Sequence, residues 1–167
     1  MSNDNVCIFT DGNGMFHTAR QLGIQIDYTK MLDIVTEGGE FTKAVFYTGT
    51  DENAEKQRSF LHWMTRNGWR VFRKPVRVDK QSGERKVDLV NEMITDIMLS
   101  VLNGAKTIVL ISGNEDFAYT LGKLQDRDIR IVVAGYRSSM SNKLMDLADY
   151  YVEFDDKDIA KETEVEE

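Results

Sequence analysis

Acidic residues follow two apolar segments of this sequence, at the points where a strand would end. Val6 to Thr10 has the pattern of a buried strand, and the segment DGNG at residues 11–14 follows it directly. Thr107 to Ile111 is a second uninterrupted apolar run, followed by SGNEDF at residues 112–117. The glycines predict sharp backbone turns that leave Asp11 and Asp116 at strand tips.

A third carboxylate, Asp88, begins the helical pattern that runs from Asp88 to Leu102. Glu92 and Asp96 recur at helical spacing after it, so the three carboxylates lie along one stripe of the predicted helix. The alternative is a helix cap at Asp88 followed by a solvated acidic face. The same alternative applies to Asp116, because aspartate favours the first turn of a helix.

Three carboxylates brought together repel one another, and a bound cation relieves that repulsion. Asp11, Asp88 and Asp116 are therefore the candidate metal ligands and catalytic residues. Hard oxygen ligands suit Mg²⁺ or Mn²⁺, which keep several waters and bind substrate phosphates. Such a metal can polarise a phosphoryl oxygen and activate a water for in-line attack.

Positive charge is concentrated in one part of a chain whose net charge is −7. Only Asp79 and Glu84 oppose it between residues 56 and 86, where the basic residues are Lys56, Arg58, Arg66, Arg70, Arg73, Lys74, Arg77, Lys80, Arg85 and Lys86. Phosphate binding depends on local potential, so this segment predicts a site for a polyanion. A solvated charged helix and loop is the alternative. The candidate substrate-binding residues are Asn13, Ser112, Asn114, Lys86 and Arg85.

Strand and helix patterns alternate along the chain. Strands are predicted at 6–10, 43–48, 69–72, 107–111 and 129–133, with a short one at 150–154, and helices at 52–66, 88–102, 115–125 and 140–148; residues 74–86 are predicted as a basic loop. Apolar strands interleaved with helices indicate a three-layer α/β/α fold with a mostly parallel sheet. In such folds, sites form beyond the carboxyl ends of the strands, here strands one and four.

The 167 residues predict one domain over residues 1–154 and an acidic, disordered tail over residues 155–167. One cysteine, Cys7, excludes an internal disulfide and a multi-cysteine zinc site. His17 and His62 lack a zinc spacing and are predicted to lie on helix surfaces or partly buried. No apolar run is long enough to span a bilayer, and residues 1–5 do not resemble a signal peptide, which predicts a cytoplasmic protein.

The order of these motifs resembles the NYN domain family, which includes the LabA-like bacterial proteins and shares the PIN-type nuclease fold. The resemblance runs from Val6 to about Phe154, and its most specific part is IVLISGNEDF at residues 108–117. It implies a metal-dependent ribonuclease in which Asp11, Asp88 and Asp116 take the acidic positions. It also implies a structural or peripheral role for Asp149, and it matches Asp96 roughly to a further helical aspartate.

Two positions depart from the family pattern. The family's turn after the fourth strand usually reads Ser-Gly-Asp-x-Asp-Phe, whereas Asn114 stands at its first Asp here. The family commonly has Asn where this chain has Gly14. An amide can coordinate a metal but adds no charge, so a weaker metal site is expected. Three functions follow: a ribonuclease acting on single-stranded or structured RNA, a non-catalytic RNA- or nucleotide-binding module, and a regulatory domain that uses the acidic tail. A homodimer is left open.

Overall fold

The computed structural model describes residues 5–51, 54–155 and 159. Its central sheet has six parallel strands in the order β3-β2-β1-β6-β7-β8. These strands are β1 (Asn5–Asp11), β2 (Lys43–Thr50), β3 (Trp69–Pro75), β6 (Ala105–Ile111), β7 (Arg130–Gly135) and β8 (Tyr150–Glu153). The two short strands β4 (Arg77–Val78) and β5 (Arg85–Lys86) form a separate antiparallel hairpin.

In the part of the chain that the structure describes, six helices cover the two faces of the sheet. They are α1 (Gly12–Leu22), α2 (Tyr28–Thr36), α3 (Glu55–Arg66), α4 (Val90–Leu102), α5 (Ala118–Gln125) and α6 (Asn142–Leu147). Short 3₁₀ turns occupy Glu115–Phe117 and Arg137–Ser139. The predicted three-layer α/β/α fold with a parallel sheet is thereby confirmed.

The strands are apolar on both faces because each face is covered by helices. Ile8 and Phe46 face the core that α1, α2 and α3 close, whereas Phe9 and Tyr47 face the core that α4, α5 and α6 close. Successive residues of a strand point to opposite faces, so an uninterrupted apolar strand supplies both cores at once.

The sheet order reverses between β1 and β6. From β1 the chain adds β2 and β3 on one side, and then crosses over to add β6, β7 and β8 on the other. At such a switch point, the connections that leave two neighbouring strands diverge to opposite faces and open a crevice between them. The carboxyl ends of β1 and β6 are the ends that carry Asp11 and Ser112.

Three features differ from the sequence-based expectations, and one of them is α2 (Tyr28–Thr36), where no helix was predicted. Residues 12–22, predicted only as a glycine turn at their start, form α1 directly after β1. The predicted basic loop at 74–86 contains the end of β3 and the β4–β5 hairpin. Two glycines lower the helix propensity of the first turn of α1, and strands of two residues are too short to give a period.

The tail predicted over residues 155–167 lies mostly outside the described residues. Ile159 is described: it is fully buried in the core beneath α1 and α2, and its carbonyl accepts a hydrogen bond of 2.6 Å from the Asp27 N–H. In the part of the chain that the structure describes, no helix is long and apolar enough to cross a membrane.

Candidate active site

Asp11 is the last residue of β1 and the N-cap of α1. One carboxylate oxygen, Oδ1, accepts the Gly14 N–H at 2.9 Å, and the other, Oδ2, accepts the Ser112 hydroxyl at 3.2 Å. Burial raises the pKa of the Asp11 carboxyl above its ordinary value, and these two hydrogen bonds offset part of that rise. A bound cation would favour the charged form of this partly buried carboxylate.

The glycines around Asp11 make room rather than sharp turns, because neither Gly12 nor Gly14 has a positive φ. A Cβ on Gly12 would lie 2.5 Å from the Tyr47 carbonyl oxygen, and one on Gly14 would lie 2.7 Å from Asp11 Oδ2. Gly14, which stands where the family commonly has Asn, therefore lets the carboxylate of Asp11 lie close to the first turn of α1.

The segment after β6 is organised by two hydrogen bonds. The Asn114 N–H donates to Ser112 Oγ at 3.2 Å, and the Asp116 N–H donates to Asn114 Oδ1 at 3.0 Å. Ser112 is 5% exposed and is thus engaged by both Asp11 and Asn114. Asp116 lies in the 3₁₀ turn with an exposed side chain. In this segment the Asn114 oxygen caps the turn that carries Asp116.

Asp88 lies two residues before α4 rather than at its first residue. Its Oδ1 accepts the Val90 N–H at 3.0 Å, and its carbonyl accepts the Lys74 ammonium at 2.8 Å. Lys74 also pairs with Glu92 at 3.0 Å. The start of α4 is therefore attached to the end of β3, and Asp88 stays exposed at the carboxyl edge of the sheet.

The three carboxylates line one cavity of about 430 Å³. We call it the acidic pocket; it is lined by Asp11, Asn13, Gly14, His17, Val87, Asp88, Leu89, Val90, Met93, Asn114, Asp116 and Phe117. Among the described residues, no group of three or more His, Cys, Asp or Glu side chains is arranged so that it could hold a metal ion. Mg²⁺ commonly binds through one or two carboxylates and keeps its other positions for water and phosphate, so the oxygen ligands of this pocket fit it chemically.

Glu92 and Asp96 do not join the pocket, although the helical stripe of the sequence placed them with Asp88. Glu92 is paired with Lys74, and Asp96 accepts a 2.7 Å hydrogen bond from the buried Tyr47 hydroxyl. Burial raises the pKa of the Tyr47 phenol, and the Asp96 carboxylate raises it further. Asp149 accepts the Ile131 N–H at 2.8 Å, between β7 and the residues before β8. Asp96 and Asp149 thus stabilise the fold.

The remaining predicted substrate-binding residues lie at the same edge. Asn13 Oδ1 accepts the Gly49 N–H at 3.0 Å, which ties the end of β2 to α1. Arg85 pairs with Asp51, and Lys86 pairs with Glu84 at 3.3 Å. Asn13, Arg85 and Lys86 line a second cavity of about 770 Å³, next to the acidic pocket.

His17 and Arg20 are residues of this edge that the sequence alone did not assign to it. His17 lines the acidic pocket, the adjoining larger cavity and a smaller one of about 220 Å³. Its ring nitrogen Nε2 lies 3.2 Å from Gln21 Nε2. The sequence feature that could have assigned them to this edge is the helical spacing of Gly14, His17 and Arg20. That spacing can be recognised only once residues 12–22 are known to form a helix.

Known proteins share this arrangement of elements. The family model of the NYN domain matches residues 5–155. The chain is 27% identical over 158 residues to the low amplitude and bright protein LabA of Synechococcus elongatus, covering 90% of this chain and 84% of that protein. A crystal structure of a Vibrio parahaemolyticus protein of unknown function superimposes with a TM-score of 0.81 at 26% identity, covering 95% of this chain and 99% of that one.

The resemblance inferred from the motifs is confirmed by these matches. Membership of the family indicates a nuclease-type or RNA-related role. A family model that spans β1 to β8, together with a relative of the same extent, identifies the chain as a member of the NYN domain family.

Proposed function

We propose that this protein is a metal-dependent ribonuclease whose reaction takes place in the acidic pocket. The observation that carries the proposal is the convergence of Asp11, Asp88 and Asp116 on one cavity at the switch point of the sheet. Such crevices are where α/β sheets of this kind bind ligands. A nuclease-type family role supports the same conclusion.

One or two of the carboxylates of Asp11, Asp88 and Asp116 would hold a Mg²⁺ or Mn²⁺ ion, whose other positions water and phosphate would fill. When bound, this ion would polarise a phosphoryl oxygen and lower the pKa of a water for hydrolysis of the phosphodiester. Ser112 and the Gly14 N–H orient the Asp11 carboxylate, and Asn114 orients the turn that carries Asp116. Lys74 fixes the backbone at Asp88.

Substitution of the carboxylates tests this proposal. Asp11→Asn and Asp116→Asn should each lower Mg²⁺-dependent cleavage of RNA by about a hundredfold, because electrostatic stabilisation of a transition state is commonly worth roughly 10²–10³ in rate. Both substitutions keep the size and capping ability of the side chain. Cleavage is measured on a labelled RNA with Mg²⁺ or Mn²⁺ and with EDTA.

The matched control is Asp33→Asn, which removes an exposed carboxylate from α2, outside the acidic pocket. It should cleave like the native protein. Equal cleavage by native protein, Asp11→Asn and Asp116→Asn would remove the assignment.

A non-catalytic RNA- or nucleotide-binding module is the second candidate, and Asn114 favours it. Its side chain caps the Asp116 turn but adds no charge to the pocket. Asn114→Asp keeps the cap and adds one carboxylate, so it should strengthen metal binding. If the native protein is a binding module, this variant should gain Mg²⁺-dependent cleavage that the native protein lacks. Robust cleavage by the native protein would exclude this candidate.

A further inference from the structure

We propose that two copies of this protein associate around a twofold axis through the outward face of α4. The inference goes beyond the proposed function, because none of the residues on this surface lines the acidic pocket. We call this surface the α4 face; its exposed residues are Asn91, Thr95, Met98, Leu99 and Leu102.

Large apolar side chains are exposed next to one another on the α4 face. Leu102 is 79% exposed, Leu99 is 50% exposed and Met98 is 42% exposed. Among the described residues, the other exposed large apolar side chains lie in six different helices, strands or loops, namely Leu22, Phe41, Trp63, Val78, Tyr119 and Tyr150. Single exposed apolar residues are ordinary on a protein surface, whereas a contiguous group marks an interaction site.

The spacing of residues on the α4 face is typical of helix-to-helix packing. Asn91, Thr95, Met98 and Leu102 follow one another at intervals of four, three and four residues, which is the spacing at which the side chains of one helix fit between those of another. They extend over nearly the whole of α4, a helix of 13 residues that is about 20 Å long. The face can therefore pack along a second helix over its full length.

None of the five residues of the α4 face is charged, although 29% of the residues of the chain are. The two carboxylates of α4 lie on its flank, where Glu92 pairs with Lys74 at 3.0 Å and Asp96 accepts a hydrogen bond from the Tyr47 hydroxyl. Around a twofold axis the same patch meets itself, so a charge on it would lie close to its own like charge. An uncharged face therefore fits a second copy of this chain.

Other occupants fit the α4 face less well. Helices that lie on a membrane combine an apolar face with Lys and Arg on the polar side, whereas α4 contains no Lys or Arg. The net charge of −7 also opposes binding to anionic lipid headgroups. A different protein is commonly oriented by complementary charges, which this face does not offer.

The area of the α4 face is sufficient for a reversible dimer. The exposed parts of Met98, Leu99 and Leu102 amount to about 300 Å² per copy, which is the lower end of the range for functional apolar patches. If about 60% of the interface is apolar, the two copies together bury roughly 1,000 Å², close to the least that a specific contact needs. We therefore expect a dissociation constant on the order of 10 µM.

Sedimentation equilibrium of the purified protein tests this inference without RNA or metal. Over a protein concentration range of about 1–500 µM, the molar mass should rise from that of one chain towards that of two. Met98→Lys and Leu102→Lys should each raise the dissociation constant at least about thirtyfold, because a twofold contact would have to bury the new charge twice. Leu102 is mostly exposed, and lysine is a good helix former that favours the last turn, so Leu102→Lys should leave α4 intact.

The matched control for Met98→Lys is Leu22→Lys, which makes the same charge change on α1, on the opposite face of the sheet, at a side chain that is 38% exposed. It should dimerise like the native protein. Raising the NaCl concentration from about 50 to about 500 mM should strengthen the native dimer, because salt screens the repulsion between two copies that each carry a net charge of −7.

A native protein that stays monomeric over the whole concentration range would overturn the inference. Equal losses in Leu102→Lys and Leu22→Lys, or a dimer that salt weakens, would also overturn it. A monomer that sediments with phosphatidylcholine vesicles, and no longer does so as Leu102→Lys, would assign the α4 face to a lipid surface instead. Cleavage of RNA is not measured in any of these experiments, so their outcome is independent of the proposed function.

Discussion

Asp11 combines several roles in one carboxyl group, since it ends β1, caps α1 and lines the acidic pocket. Burial raises its pKa above the value of 3.8 for an exposed aspartate. Between 3.8 and the raised value, the folded protein keeps a proton that the unfolded chain has released. Stability therefore falls as pH rises through that interval and stays lower at neutral pH.

Asp11→Asn should consequently stabilise the protein in the absence of metal. At pH 7 in EDTA we expect its melting temperature to rise by about 2–4 °C, which corresponds to roughly 1 kcal/mol for a chain of this size. The amide keeps an oxygen for the Gly14 N–H, so the cap is retained. The gain should shrink as pH falls, because burial raises the pKa of native Asp11 and it takes up a proton before an exposed aspartate would.

Thermal unfolding across this pH range measures the effect, with Asp33→Asn as the variant that should show no pH-dependent gain. A lower melting temperature for Asp11→Asn at pH 7 would contradict the account, because it would mean that the ionised form of Asp11 contributes net stability. A gain that does not shrink at all on acidification would also contradict it.

At the scale of elements, the connection after β6 is packed against the connection after β7. A Cβ on Gly113 would lie 1.8 Å from the Ser139 carbonyl oxygen, and the Ser141 N–H donates to the Gly113 carbonyl at 3.0 Å. The backbone at Ser139 cannot yield without moving the 3₁₀ turn at Arg137–Ser139. The position of Asp116 therefore depends on a glycine three residues earlier.

Gly113→Ala should destabilise the protein by about 1–3 kcal/mol, the usual range for forcing extra atoms into a packed site. The matched change is Gly122→Ala, in the interior of α5, where an added Cβ meets nothing within 4 Å. It should stabilise by about 0.5–1 kcal/mol, because alanine is the better helix former. The free energy of unfolding of both variants is measured with denaturant. Similar changes of the same sign would show that the backbone at Gly113 has room for a side chain.

The elements differ in how far the sequence predicts them. The strands β1 and β6 were predictable because each contains an uninterrupted apolar run, and Asp88 to Leu102 was predictable from its helical period. The helix α1 was missed because Gly12 and Gly14 are poor helix formers. Glycine is nevertheless required at both positions, because Gly12 lies close to Tyr47 and Gly14 lies close to the Asp11 carboxylate. The β4–β5 hairpin was missed because only the pairing of its residues defines it, and the composition of residues 74–86 does not indicate that pairing.

At the scale of the whole molecule, the sheet explains why residues far apart in sequence could be assigned to one edge. The carboxyl ends of parallel strands meet there, so the sequence alone predicts that Asp11 and Asp116 lie close together. Spacing along α4 could not reveal the partners of Glu92 and Asp96, because Lys74 and Tyr47 come from β3 and β2. Hydrophobic periodicity predicts which residues share one face of a helix, but it does not predict which residues of other elements contact that face.

Charge is also distributed at this scale, since a chain with net charge −7 carries its cations in a groove beside its acidic pocket. Interactions between exposed charges fade over roughly 8–10 Å at physiological salt. The acidic remainder of the surface therefore leaves the potential of the groove largely intact. A polyanion such as RNA, the substrate of the proposed function, can therefore bind locally to a protein whose net charge is −7.

The hydrogen bond from Ser112 to Asp11 joins residues that are 101 positions apart. During synthesis, a chain extended through α4 already contains Asp11, Asp88 and the basic hairpin. It still lacks β6, the strand that pairs with β1, and the turn that carries Asp116. The acidic pocket is completed only when the second half of the sheet joins the first. A nascent chain thus cannot assemble the complete pocket until β6 and the turn after it have been synthesised.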